Sequence, residues 1–166
     1  MREILFRAKR IDNGDWVEGF YSQLPKPSLG ATIITNGDLC AEDVSDYIIV
    51  NECKQHSNFS NGYPLEVVEC EYYEIDSETL CQYTGLKDKN GNRIWENDIV
   101  KCNKRKDGFE LYKVLWRKYY ADFGVEPLDF GVQYPISLGE NEQDIKGCNY
   151  EIIGNIFDTP ELLKGE

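Results

Sequence analysis

An Asn-Gly pair set between apolar flanks leaves a chain few ways to fold, and this sequence places one at Asn90-Gly91. Both residues tolerate positive φ, where other side chains clash, so the pair favours a tight hairpin turn. The run from Asp88 to Asn92 is rich in turn formers, and its flanks carry Tyr83, Leu86, Ile94 and Trp95. Two strands around a turn are therefore expected. Glu96-Asn97-Asp98 supplies a second polar turn, from which Asp98 can cap local amides and launch Ile99-Val100 as a new strand. Taken alone, this is an ordinary solvated hairpin.

Beyond the turn, the letters themselves are informative. Gln82-Tyr83-Thr84-Gly85-Leu86-Lys87-Asp88-Lys89-Asn90-Gly91, followed by Ile94-Trp95-Glu96-Asn97-Asp98-Ile99-Val100, resembles the signature of the YopX family of phage and prophage proteins. Arg2-Glu3-Ile4-Leu5-Phe6-Arg7-Ala8 resembles that family's opening. Tyr150 to Phe157 and Pro160-Glu161-Leu162-Leu163 resemble its close, so the resemblance spans all but about 22–67. Where the family pattern has Gly before the Asp-Ile-Val run, this chain has Asn97, which can take the same left-handed conformation. The resemblance implies a mainly β protein with an SH3-like small barrel at its C-terminal end. It implies no reaction and no cofactor.

The rest of the chain reads as short strands separated by turns. Arg2 to Arg10 alternates Ile4, Phe6 and Ala8 with polar neighbours, Asp12-Asn13-Gly14-Asp15 turns, and Trp16 to Tyr21 returns. Two prolines make Leu24 to Gly30 a loop. Ala31 to Thr35 is a short strand, Asp38 to Asp46 a brief helix and Tyr47 to Val50 a buried strand. Gln55 to Pro64, dominated by Asn, Ser and Gly, is expected as an exposed mobile loop, and Leu65 to Ile75 as a long strand with a bulge or at an edge. Asp76 to Leu80 is a capped helical turn that hinges an N-terminal β-rich region, 1–76, to a C-terminal module, 77–166. In that module Phe109 to Lys118 is a strand with Leu111, Val114 and Trp116 as core. Scattered aromatics follow from Tyr119 to Tyr134, then an acidic loop over 139–147. Tyr150 to Phe157 is the last strand, before a helical turn that Thr159 can cap.

Composition narrows the functional classes. No apolar run approaches the ~18 residues of a membrane span, and no apolar leader follows Met1, so a cytoplasmic protein of a bacterial host is expected. Six scattered cysteines contain no Cys-x-x-Cys, which points to reduced, buried thiols. Cys53 and the single histidine, His56, lack a second ligand pair, so no metal is expected. Neighbouring acids such as Glu42-Asp43 are unremarkable among thirty, and no phosphate loop or activated nucleophile is visible. The expectation is a chain that is not an enzyme.

Charge supplies the candidate surfaces. The net of −12 is unevenly spread: residues 37–85 carry −10, residues 86–118 carry +5, and residues 119–166 carry −8. These regions can attract one another within the fold or between subunits, so a homo-oligomer is possible. The first functional expectation is a phage or prophage accessory protein acting as a protein-interaction module on a host or phage protein, with an acidic surface able to mimic nucleic acid. The second is nucleic-acid binding, with Lys104, Arg105, Lys106, Arg117 and Lys118 (helped by Lys101 and Lys113) on phosphates and Trp116 or Tyr119 stacking on bases. The surrounding acidic field disfavours the second.

Overall fold

A computed structural model describes residues 3–25, 44–50, 54–60, 63–69, 71–102, 111–128, 135–138 and 150–163. The chain is mainly β, and its described helical elements are single 3-10 turns at Ser77–Thr79 and Pro160–Leu163. It forms two compact units, Leu5–Leu80 and Cys81–Glu166 with Met1–Ile4.

In the first unit, β1 (Phe6–Lys9) turns through Gly14, at φ 75°, into β2 (Trp16–Pro25). Next come β3 (Val44–Ile49), β4 (Lys54–Ser60), β5 (Tyr63–Glu69) and β6 (Tyr72–Glu74). β6, β3, β2 and β1 lie side by side in that order, each pair antiparallel. A bridge from Arg10 to Ile75, with Ile11 N donating to Glu74 O and Asp76 N to Lys9 O, brings the end of β6 back to the end of β1. The ladder of this unit therefore returns to its own start. Ala8, Val17, Ile48 and Ile75 fill it, with Phe6 and Tyr21 packed against them. Asp76 caps the Ser77–Thr79 turn, accepting from Glu78 N, and Thr79 Oγ1 accepts from Lys9 N at 2.8 Å. The cap expected at Asp76 is thus present.

Three expectations fail here. Leu24 and Pro25 belong to β2, opposite Ser45 and Val44, because a proline at a strand's last residue forfeits little of the ladder. Residues 44–46 are strand, not helix; 38–43, with the strand expected over 31–35, lie outside the described residues. Of the loop expected over Gln55 to Pro64, 55–60 and 63–64 are strand, and 61–62 lie outside the described residues: β4 and β5 pair residue for residue from Lys54↔Glu69 to Ser60↔Tyr63. Backbone amides and carbonyls make that ladder, so polar side chains do not forbid it.

In the second unit, β7 (Cys81–Lys87) pairs with β8 (Arg93–Trp95). β9 (Asp98–Lys101), β10 (Leu111–Arg117), β11 (Asp122–Pro127), β12 (Ile136–Ser137) and β13 (Glu151–Asn155) make an antiparallel sheet in the order β12-β11-β10-β9-β13. Ile94, Val100, Cys102, Tyr112, Val114, Phe123, Val125, Leu138 and Tyr150 form its core. Tyr112 and Val114 hold the inner positions of β10, whereas Trp116, expected inside, is 40% exposed and Leu111 half-buried. Trp116 continues the alternation of Tyr112 and Val114 but stands near the strand's end, opposite Phe123, where the two rings meet T-shaped at 4.9 Å between centroids and leave the indole partly in solvent. β11 was hidden in the sequence by Gly124. A Cβ there would meet Arg117 Cδ and the Ile136 carbonyl oxygen, both at 2.5 Å, so glycine is what lets three strands close up.

The two kinds of glycine separate by experiment. Gly19→Ala would drive a Cβ to 2.2 Å from the Ile49 carbonyl oxygen and should cost about 3 kcal/mol. Gly14→Ala meets no atom within 4 Å but must hold positive φ, and should cost about 1 kcal/mol. Urea unfolding of both variants checks the order; the reverse order would refute the register of β2 on β3.

Candidate functional site

The turn between β7 and β8 is built around a carboxylate. Asp88 is only 7% exposed. Its Oδ1 accepts from Asn90 N and Asn92 N, both at 2.8 Å, and Oδ2 from Asn92 Nδ2 at 3.2 Å and Ile152 N at 3.4 Å. Burial pushes this carboxyl up, but the donors from Asn92, Asn90 and Ile152 more than offset it and hold the group below the usual carboxylate range. Asp88, Asn90 and Asn92 stand at alternate positions, as cation ligands would, yet here the oxygens of Asp88 face N–H groups. Among the described residues no three His, Cys, Asp or Glu side chains gather to hold a metal. Cys53 lies outside the described residues, and Cys81 and Cys102 are buried, Cys81 Sγ accepting from Asn97 Nδ2 at 3.7 Å.

The neighbouring signature residues serve the same end. Gly85 takes φ 87° where the β7–β8 register shifts, and Thr84 Oγ1 spans that irregularity to the Ile94 carbonyl at 2.8 Å. Asp98, 1% exposed, accepts from Trp95 N at 2.8 Å, so the cap expected there is present. Asn97 does adopt left-handed backbone, φ 66°, donating its N–H to the Val114 carbonyl and accepting from Ile156 N. At the chain's close Asn155 Oδ1 takes the amides of Phe157 and Asp158, and Thr159 Oγ1 donates to Asn155 O. Each holds a turn or joins two strands.

The first unit has a comparable polar knot. Asp46 accepts from Tyr21 Oη at 2.6 Å, Ser77 Oγ at 2.7 Å and Gln23 Nε2 at 3.1 Å. The Tyr21 hydrogen bond, then that of Ser77, holds the Asp46 carboxyl below its usual range and raises the Tyr21 phenol. A groove of about 460 Å³ nearby is lined by Lys9, Arg10, Ile11, Ile75, Asp76 and Ser77. Its Arg10 already pairs with Asp12 and stacks on Tyr73 at 3.7 Å.

The described part of the basic candidate segment ends in the turn from β10 to β11. Lys104, Arg105 and Lys106 lie outside the described residues. Arg117 is 8% exposed and grips Asp122 with two prongs, Nε to Oδ1 at 2.7 Å and Nη2 to Oδ2 at 2.6 Å, while Nη1 donates to the Pro135 carbonyl at 2.9 Å. That guanidinium holds the Asp122 carboxyl below its usual range. The ring of Tyr120 lies over it at 4.4 Å. Lys118 is exposed, Tyr119 is 98% exposed and Tyr120 71%, and Ala121 closes the turn at φ 52°. The structure thus keeps Trp116, Lys118 and Tyr119 accessible and turns Arg117 inward. It adds Tyr120, whose adjacency to Tyr119 was the one signal in the sequence.

The profile of the family described as YopX protein matches residues 5–164. Among solved structures, the crystal structure of protein EF1440 from Enterococcus faecalis is similar, at 23% identity and TM-score 0.51, with 99% of this chain and 100% of that chain covered. No curated protein matches. The solved neighbour is a likeness of fold.

Two substitutions test these assignments. Since the folded Asp88 carboxyl titrates below its unfolded range, its contribution is complete above an ordinary value of about 3.9 and is lost as pH falls toward the lower folded value. Asp88→Asn should cost about 2 kcal/mol at neutral pH. It should also flatten the acid limb of stability below about pH 5; an unchanged acid limb in urea melts would refute the role. Arg117→Ala should cost about 2 kcal/mol, and the loss should shrink when Asp122→Ala is already present. A purely additive double-mutant cycle would contradict the pair.

Proposed function

The chain belongs to the YopX family, and from that premise we propose that it is a non-enzymatic protein-interaction module, a phage or prophage accessory protein acting in the cytoplasm of a bacterial host. What supports this reading above all is the β10–β11 turn. It offers Tyr119 and Tyr120 to solvent, with Trp116 and Lys118 beside them, on a hairpin braced by the Arg117–Asp122 fork. Tyrosine, tryptophan and arginine are the residues on which protein contacts concentrate their energy, since broad rings bury much area at little entropic cost. The signature carboxylates Asp88 and Asp98, by contrast, are bonded to backbone amides. The second unit is proposed to close as an SH3-like barrel whose hairpin carries this tip.

Nucleic-acid binding by the same segment is the second reading, on the strength of Lys118 beside Tyr119. Against it, Arg117 is committed to Asp122 and the Pro135 carbonyl, and the chain carries −12 overall. A titration of labelled single-stranded DNA at low salt should show no binding below about 50 μM. Tighter binding that Lys118→Glu abolishes would replace the first reading with the second. For the first, immobilised wild-type chain should retain a protein from infected or lysogenic cells that the Tyr119→Ala/Tyr120→Ala variant loses. Retention of the same protein by both would move the interaction surface elsewhere.

A further inference from the structure

The first unit bears an aromatic surface that the sequence did not disclose. Residues opposite one another in antiparallel strands point to the same face. The register places Phe20 of β2 opposite Ile49 of β3, and Ile49 opposite Tyr72 of β6. Phe20 is 45% exposed, Ile49 half-buried and Tyr72 57% exposed, so an apolar row crosses three strands on the outer face. Tyr47, buried, meets Tyr72 edge-on at 5.5 Å and holds its ring in place. Glu74, exposed and two residues on from Tyr72 in β6, shares its face, whereas Glu71 precedes the strand and accepts from Tyr73 Oη on the other side. The row is thus apolar with an acidic margin.

The β10–β11 tip is its counterpart. Tyr119 and Tyr120 supply rings, and Lys118 supplies positive charge that the Arg117–Asp122 pair, neutral as a unit, does not cancel. We propose that the Tyr119–Tyr120 tip of one copy docks on the Phe20–Ile49–Tyr72 row of a second copy of this chain, with Lys118 facing Glu74. Both surfaces stand open on the single chain, and each has what the other lacks: rings with a cation against rings with a carboxylate. The charge map agrees, since the row lies largely in the −10 segment and Lys118 ends the +5 segment. A contact between unlike patches is heterologous, so two exchanged contacts close a dimer whereas single contacts propagate chains. Two tyrosines bury about 150–250 Å² each, which places one contact in the weak, transient class. This names the chain itself as a partner. A chain that stays monomeric yet retains another protein would remove this inference and leave the reading above intact.

Sedimentation velocity from about 10 to 500 μM tests it, the range in which so small an interface associates. Wild type should gain mass with concentration. Tyr119→Ala and Tyr72→Ala should each weaken association about tenfold or more. Mixing the two variants should restore it in part, because one brings an intact tip and the other an intact row. Lys118→Glu should weaken association, and Glu74→Lys in the same chain should recover it. Constant monomer mass throughout the range, or association indifferent to all of these substitutions, would overturn the proposal. So would a tip that binds labelled oligothymidine while the protein stays monomeric, which would assign the tip to nucleic acid.

Discussion

A buried carboxylate holding backbone amides is the interaction on which the second unit most depends. Asp88 is largely removed from water, which pushes its carboxyl up. The net effect is downward, because two amides of its own turn and one from β13 point at its oxygens. Charge-assisted bonds of this kind are stronger than neutral ones. They do two things together: they fix the Asn90-Gly91 turn, and they fasten it to a strand that begins more than sixty residues later. Lys89 N to the Tyr150 carbonyl is a second fastening beside the first. A local turn thereby sets a long-range register, and the strand that follows, β13, pairs with β9 from there.

This accounts for a signature that is legible as structure. Thr84, Gly85, Asp88, Asn97 and Asp98 are required because the backbone shifts register, turns left-handed or leaves amides to be satisfied at those points. A carboxylate that accepts several amides is held ionised and is poorly placed to exchange protons at neutral pH. Among the described residues, exposed rings stand at a tip, Tyr119 and Tyr120, in one unit and in a row, Phe20 and Tyr72, in the other.

Turn chemistry was the legible part of the sequence. Asn90-Gly91 and the Asp76 cap each follow from a side chain bonding within a few residues of itself, which letters record, and Asn97 takes the left-handed backbone its residue type allows. Thr159, read as the cap of the closing turn, instead bonds back to Asn155 through Oγ1. What the letters conceal depends on a partner strand. Gly124 reads as a breaker until Arg117 and Ile136 are seen pressing on it. β4 reads as a polar loop until β5 supplies its ladder. The Arg117–Asp122 fork spans five residues, but only the β10–β11 register places both on one face. Without that register Arg117 resembles any other exposed cation. The Phe20–Ile49–Tyr72 row is more concealed still, since its members are scattered over fifty residues and share nothing but a rung.

The tip raises one further physical question, which is why a turn should end on Ala121. Left-handed backbone costs a residue with a Cβ about 1–2 kcal/mol relative to glycine, and Ala121 has no polar side chain with which to recover it. The turn is nonetheless held, because Arg117 N–H groups grip Asp122 on one side of it and Tyr120 lies across the guanidinium on the same side. Glycine would relieve the strain and also loosen the hairpin, since it gains more conformational freedom when unfolded. Alanine narrows the backbone freedom of the arc, so the turn fixes where the Tyr119 ring is carried, while its 98% exposure leaves the side-chain torsions to solvent.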